Sequence, residues 1–553
     1  MKKKNLSIKE TLISAFQSCQ KKDFKKAEKL CNKILNIDPN HHDTIFLLGS
    51  LSVQAKNFGT AEKFLNKAIQ IQPNHINAYF NLGILFKELR NFEKSISCYQ
   101  KAIEIQPNNA RSHNELGVVF KELREFQKSK DCFQKAIEID SNYAGAYINL
   151  GNILKELGDY KKAIINYQKA IQIQPNNLKS YLNLAILFKD QGEVEKAIEY
   201  YEKVVRYETG NLRIHYELNN LKNENINSDL KNNIEKIIRE KKSTKANLAY
   251  GYFLLSKYEY NLKNYEKEFN HLLKGHELFF SSLNPKDKKS VGYWLDELPK
   301  MEELVTIAKN FKNTNDKIRP IFIIGVPRCG STLVEKIITS CPKFIPMGEE
   351  TGVFSMLMWD QIRQKKNLIS NMENIKIDLI EKYKEKELIQ KKSDYIFTDK
   401  SLENFFYLGL IKKIFPEAKV INCKRNATSS IISIFKRNLG DIIWAHNLDN
   451  IFKYFDIYNH LTENFKKLYP DFIYDLHYEQ LVNEPEVESK KLLNFCDLPW
   501  DIKCLEFYKR KDLISRTASK LQIRKAIYKD SLDIHPTYKA LLKKYGDKYS
   551  WYN

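Results

Sequence analysis

Pro320-Ile-Phe-Ile-Ile-Gly-Val-Pro-Arg-Cys-Gly-Ser-Thr-Leu333 compresses a strand, a turn and a helix start into fourteen residues. Ile321 to Ile324 form a short apolar, β-branched run of the kind that makes a buried strand. Gly325 and Gly330 bound a tight loop, and a helical pattern runs from Leu333 to Ser340. A strand, a Gly-bounded loop and a helix N-terminus make an anion cradle, because unpaired backbone N–H groups and the helix dipole point at the ligand. The spacing G-x-x-x-x-G is that of an ATP-binding P-loop, yet the position such a loop needs as Lys is Ser331, and Arg328 sits inside the loop. This combination disfavours an NTPase and suits an anion without a terminal γ-phosphate.

Beyond the loop, short apolar runs alternate with helical patterns, as in an α/β domain with a parallel sheet. Ala418-Lys-Val-Ile-Asn-Cys-Lys-Arg425 is a strand that delivers a cation at its carboxyl end, where open α/β sheets bind ligands. Ser433 lies eight residues on and Arg437 four beyond it, at helical spacing. Another strand, Phe472 to Leu476, leads into His477-Tyr-Glu-Gln-Leu-Val482. Gly348-Glu349-Glu350 follows the loop helix, and Phe397-Thr-Asp-Lys-Ser401 supplies Lys400. Transfer of an anionic group to an alcohol needs a base for the hydroxyl proton, with cations or donors for the charge that builds on the leaving group.

In this order the motifs resemble those of sulfotransferases, most closely tyrosylprotein sulfotransferases and their bacterial relatives fused to tetratricopeptide repeats. The resemblance covers about residues 319–530. It implies 3′-phosphoadenylyl sulfate (PAPS) as co-substrate and no metal. Arg328, Cys329, Gly330, Ser331 and Thr332 would hold the 5′-phosphosulfate, and Arg425 and Ser433 the 3′-phosphate. Arg437, Tyr478 and Lys525 match further cofactor-contacting positions. Glu350 would be the base, with Glu349 as the alternative because the segment before the pair is one residue longer here. Lys400 would bridge donor and acceptor oxygens, and Ser519 matches the family's serine through Ser519, Gln522 and Lys525, although Ala526 stands where the family has Pro. The acceptor implied is a hydroxyl, with protein tyrosine the family-guided expectation.

The first half reads differently. From residue 8 to 211 a 34-residue period places small residues at Ala15, Gly49, Gly83, Gly117, Gly151 and Ala185, and again at Ala27, Ala61, Ser95, Ser129, Ala163 and Ala197. Pro39, Pro73, Pro107 and Pro175 punctuate the units, since Pro cannot continue a helix. Small residues let paired helices cross closely, while Leu65, Tyr99, Phe133, Tyr167 and Tyr201 bury against the next pair. Period and columns match six tetratricopeptide repeats. An α-solenoid followed by an α/β, P-loop-like parallel-sheet sulfotransferase domain is therefore expected. The boundaries are 8–211 for the repeats, 212–315 for a degenerate repeat and helical bridge, and 316–553 for the sulfotransferase domain.

Asn81, Asn149 and Asn183 recur on the first helices, where a side-chain amide column can pair with an extended peptide backbone. Glu88, Glu122, Glu156 and Asp190, with Lys87, Lys121, Lys155 and Lys189, make that groove polar and mixed in sign. A polypeptide or other hydroxyl acceptor along the groove is the expected partner. Net charge is +22, with Lys spread along the chain and not gathered in one tail, so nucleic acid is not expected. Nine Cys without a C-x-x-C pair argue against a disulfide or zinc framework. A cytoplasmic protein is expected, since no apolar run follows Met1-Lys-Lys-Lys and none approaches a membrane span. Two rival functions remain at this point: a P-loop small-molecule kinase and a non-catalytic repeat scaffold.

Overall fold

The computed structural model describes residues 2–240, 242–307, 318–363, 372–389, 395–510, 526–527 and 534–552. They fall into two compact units, Met1–Tyr207 and Glu208–Asn553.

In the first unit, twelve described helices from Lys2–Gln20 to Val194–Tyr207 form six antiparallel pairs. The small columns are small because the crossings leave no room: a Cβ at Gly83 would stand 2.5 Å from the Tyr99 ring, and one at Gly151 2.6 Å from Tyr167. Where the second column is Ser, the hydroxyl spans the same crossing, Ser95 Oγ donating to Gly83 O at 2.8 Å and Ser129 Oγ to Gly117 O at 2.7 Å. Side chains of Asp23, Asn57, Asn91 and Asp159 accept from first-turn amides of the second helices, stabilising each start by about 1 kcal/mol. A further column is conformational. Lys22, Lys56, Arg90, Arg124, Gly158 and Gly192 all take positive φ at the turn within each pair.

The asparagine column forms inter-repeat hydrogen bonds. Asn81 Nδ2 donates to Ser50 Oγ (2.8 Å), Asn149 Nδ2 to Asn114 Oδ1 (2.9 Å) and Asn183 Nδ2 to Asn152 Oδ1 (3.0 Å). Lys87 pairs with Glu115 at 2.6 Å and Lys155 with Asp190 at 3.2 Å. Opposite charges are thus already matched in part between neighbouring repeats.

The second unit is built on a four-stranded parallel sheet in the order β2-β1-β3-β4. β1 is Arg319–Gly325, β2 Ile396–Asp399, β3 Lys419–Lys424 and β4 Ile473–His477. The register sets Gly325 beside Cys423 and Lys424 beside His477, so the carboxyl ends of the inner strands lie together. Residues 212–315, set apart as a bridge by sequence alone, contain helices that belong to this unit. Leu212, Phe253, Leu254, Phe269, Leu272 and Leu298 are buried in the same apolar cluster as Ile321 to Ile324 of the sheet. Two of these helices, Lys245–Asn261 and Tyr265–Ser282, form an antiparallel hairpin that crosses closely at Gly275 against Phe253.

Candidate active site

The loop after β1 is held in a shape its sequence makes possible. A Cβ at Gly325 would lie 2.8 Å from the Cys423 carbonyl oxygen, so only Gly lets β1 and β3 approach there. Arg328 takes φ +71°, a strained conformation for a residue with a Cβ, and strain of this kind persists where surrounding contacts enforce it. Two contacts do so: Arg328 Nε donates to Ser433 Oγ at 3.0 Å, and its carbonyl accepts from Arg425 Nη1 at 2.9 Å. Gly330, at φ +94°, caps the helix Ser331–Thr339, and a Cβ there would run into the Tyr478 ring. That ring also carries the Arg425 guanidinium, 4.9 Å from its centroid. Arg328, Gly330, Arg425, Ser433 and Tyr478 therefore form one constellation around a helix N-terminus.

A second cluster lies at the first turn of the same helix. The run 346–350 extends the sheet beyond β2: Thr398 N donates to Pro346 O (3.0 Å), Lys400 N to Gly348 O (2.8 Å) and Glu350 N to Lys400 O (3.1 Å). Lys400, with its side chain 2% exposed, follows the carboxyl end of β2. Its Nζ lies 3.0 Å from Glu349 Oε1, 3.7 Å from Glu335 Oε2 and 3.5 Å from Thr332 Oγ1. Glu335 is fully buried and accepts from Thr398 Oγ1 at 3.0 Å. Burial pushes its carboxyl up to about 7, although the Lys400 ammonium pulls the other way. Asp399 locks the neighbouring turn by accepting from Thr351 Oγ1 (2.8 Å), Ser401 Oγ (2.8 Å) and Tyr383 OH (2.5 Å). Among the described residues no group of three His, Cys, Asp or Glu is arranged to hold a metal ion.

Residues 320–502 match the sulfotransferase family, and segments between 19 and 211 match tetratricopeptide repeats. A tetratricopeptide-repeat array precedes a sulfotransferase-family domain. An uncharacterized protein of Aquifex aeolicus (strain VF5) is 30% identical over 306 residues, 52% of this chain and 40% of the relative. Protein-tyrosine sulfotransferase 1 of Danio rerio is 29% identical over 203 residues, 33% of this chain and 54% of the relative. Protein-tyrosine sulfotransferase A of Caenorhabditis elegans is 27% identical over 208 residues, 34% of this chain and 51% of the relative. The chain thus spans about half, or less, of the length of each of these relatives. Among the described residues no helix is long and apolar enough to cross a membrane.

Within the sulfotransferase domain, the structure brings Arg328, Gly330, Arg425, Ser433 and Tyr478 together and sets Lys400 beside Thr332. Ser331 and Thr332 open the loop helix and are nearly buried. Cys329 is buried as well, its thiol turned inward against Cys423 under the loop. Arg437 is exposed on the turn after the helix Ala427–Phe435, close to Lys257 and Tyr216 from the helices preceding the sheet. The two acidic neighbours divide: Glu349 is buried against Lys400, while Glu350 is exposed at φ +50°. Ser519, Gln522 and Lys525 lie outside the described residues. Sequence reasoning passed over Glu335 and Asp399. The one signal for Glu335 was its place three residues after Thr332 on the loop helix.

Proposed function

We propose that the sulfotransferase domain moves a sulfuryl group from PAPS to an acceptor hydroxyl, and that the repeats present a polypeptide whose tyrosine supplies it. The observation that carries this reading is the constellation of Arg328, Arg425, Ser433 and Tyr478 around a loop that has Ser331 where an ATP-binding loop needs Lys. PAPS brings a sulfuryl group already bonded to a good leaving group, its 5′-phosphate. The loop amides, Arg328, Ser331 and Thr332 hold the 5′-phosphosulfate, with Cys329 and Gly330 shaping the loop. Arg425 and Ser433 bind the 3′-phosphate, with Arg437, Tyr478 and Lys525 as further nucleotide contacts. A guanidinium laid on Tyr478 keeps its donors in one plane for a phosphate.

In the transfer, the acceptor oxygen bonds to sulfur as the sulfur–oxygen bond to the 5′-phosphate breaks, and the phosphate leaves with the electron pair. Glu350, on the exposed side of the pair, takes the hydroxyl proton. Lys400, fixed by Glu349 and Glu335, offers positive charge between donor and acceptor oxygens. Ser519 completes the catalytic set in this reading.

Calorimetry with 3′-phosphoadenosine 5′-phosphate (PAP), set against ATP with Mg²⁺, tests the class. Tight PAP binding and no heat from ATP–Mg²⁺ is the expected result. The reverse would make the domain a kinase. In Arg425→Ala, PAP should weaken far more than adenosine 5′-phosphosulfate, by about 10- to 150-fold for one charged hydrogen-bonding partner.

A further inference from the structure

The loop helix Ser331–Thr339 is tied to the run 346–350 by more than the loop before it. Gly348 N–H donates to Thr398 Oγ1 at 3.0 Å, and that hydroxyl donates onward to Glu335 Oε1 at 3.0 Å. Next to Glu335 on the helix, Lys336 Nζ reaches Met347 Sδ at 2.9 Å. The segment that carries Glu349 and Glu350 is thus held to the helix immediately before the pair, in addition to its backbone pairing beyond β2. A side chain at position 348 would collide with the Thr398 carbonyl, so this close approach needs Gly.

The second oxygen of Glu335 has a different neighbour. Oε2 lies 3.7 Å from Lys400 Nζ and takes no hydrogen bond among the described residues. Thr332 and Glu335, three residues apart, share one face of the helix, and both meet this ammonium, Thr332 Oγ1 at 3.5 Å. Glu349 Oε1 meets it at 3.0 Å. One carboxylate therefore joins the lysine to the backbone of the acidic run, and Glu335 and Thr398 are both 0% exposed. Desolvating a carboxylate is costly, and apolar residues of similar size often pack as stably. What such a bridge can supply instead is fixed geometry.

We propose that Glu335 is a positioning residue of the transfer, setting Lys400 through one oxygen and, by way of Thr398, the Gly348–Glu350 backbone through the other. The inference rests on the sulfotransferase reading above, in which Lys400 and Glu350 meet the reacting oxygens. Glu335, fully buried, acts only through these neighbours. Lysine and base must be held to a fraction of an ångström, since a misplacement of about 1 Å can cost about 10²-fold in rate. The helix whose N-terminus holds the 5′-phosphosulfate thereby also sets the groups that act on the acceptor oxygen.

Two pairs of variants separate the two arms of the bridge. E335Q keeps an acceptor for Thr398 and turns an amide donor toward Lys400, whereas E335D keeps a carboxylate. T398V keeps the shape and removes the hydroxyl, whereas T398S retains it. Transfer from PAPS to a synthetic peptide with one tyrosine would be measured alongside PAP affinity by calorimetry, on variants shown to be folded by Trp fluorescence. E335Q and T398V should each lose about 10- to 100-fold in kcat, with KM for PAPS and PAP affinity within about twofold of the parent. T398S should keep the parental rate, and E335D should recover part of the loss. Hydrogen exchange at the Gly348 amide should quicken in T398V and not in T398S, a readout that needs no turnover. Parental kcat in E335Q and T398V, a loss shared equally by T398S, or PAP affinity falling as far as kcat would make Glu335 a packing residue and overturn the proposal. A parent that binds no PAP, or binds it and leaves the peptide unsulfated, would overturn the reading beneath it, and unchanged exchange in T398V would still overturn the Thr398 arm.

Discussion

Glu335 is the residue whose replacement most directly tests the electrostatics of the site. It is fully buried on the loop helix, 3.7 Å from Lys400, and its Oε1 accepts from Thr398. Burial outweighs the ammonium and holds the carboxyl at about 7 against an ordinary 4.5. The folded protein therefore retains a proton between pH 4.5 and 7 that the unfolded chain has lost. Stability falls as pH rises through that window and stays lower above it. For values of 4.5 and about 7 the linkage amounts to about 2.5 kcal/mol between pH 5 and pH 8. Glu335→Gln preserves the acceptor for Thr398 and removes the titration, so its stability should not show this decline.

All five Trp, at 294, 359, 444, 500 and 551, lie in the second unit, so Trp fluorescence during urea unfolding follows the sulfotransferase domain alone. The parent-minus-variant difference should change by about 2.5 kcal/mol between pH 5 and pH 8, with the variant relatively more stable at pH 8. Titrations of groups that do not interact with Glu335 cancel in that difference. Parallel profiles for the two proteins would refute the argument that burial governs this carboxyl.

Glu350→Gln should keep PAP affinity and lose turnover by about 10²–10⁴-fold in a sulfate-transfer assay, since only the proton acceptor is removed. Glu349→Gln should mainly lower the domain's stability, by about 1.5–3 kcal/mol, by removing a charged partner of Lys400. A dead Glu349→Gln beside an active Glu350→Gln would exchange the two roles. His276 and His446 touch through their Nδ1 atoms at 2.9 Å, and burial lowers them to about 3 and about 4. Both stay neutral when folded, so their contribution is complete above pH 6.5 and is lost as pH falls towards 4. In acid unfolding monitored by Trp fluorescence, His446→Asn should make the slope below pH 6 shallower by about 1.4 kcal/mol per pH unit. Replacing Asn81, Asn149 and Asn183 together by Ala should raise KM for a polypeptide acceptor and leave PAP binding unchanged. Each loses an inter-repeat hydrogen bond worth about 1 kcal/mol, to be read from thermal unfolding.

The 34-residue columns, the Gly-bounded loop and the strand ending at Arg425 were legible in the sequence because each depends on local constraints. A small residue at a helix crossing, a Gly where strands touch and a run of β-branched residues leave their mark residue by residue. That Arg328, Arg425 and Ser433 converge also followed from order along the chain, since carboxyl ends of parallel strands meet on one edge. Only the tertiary structure separated Glu349 from Glu350. Which one meets Lys400 depends on the pairing of 346–350 with β2, which sets Glu349 against Lys400 while Glu350 turns out of the ladder at φ +50°. Glu335 acquired its raised proton affinity from tertiary burial, against the opposing pull of Thr398 and Lys400, which lie more than sixty residues distant in sequence. The helices of 212–307 gave an apolar pattern that any helical bridge would give. Their place in the sheet's own core came from the packing of surfaces whose complementarity is a property of three-dimensional shape and leaves no periodic trace in sequence.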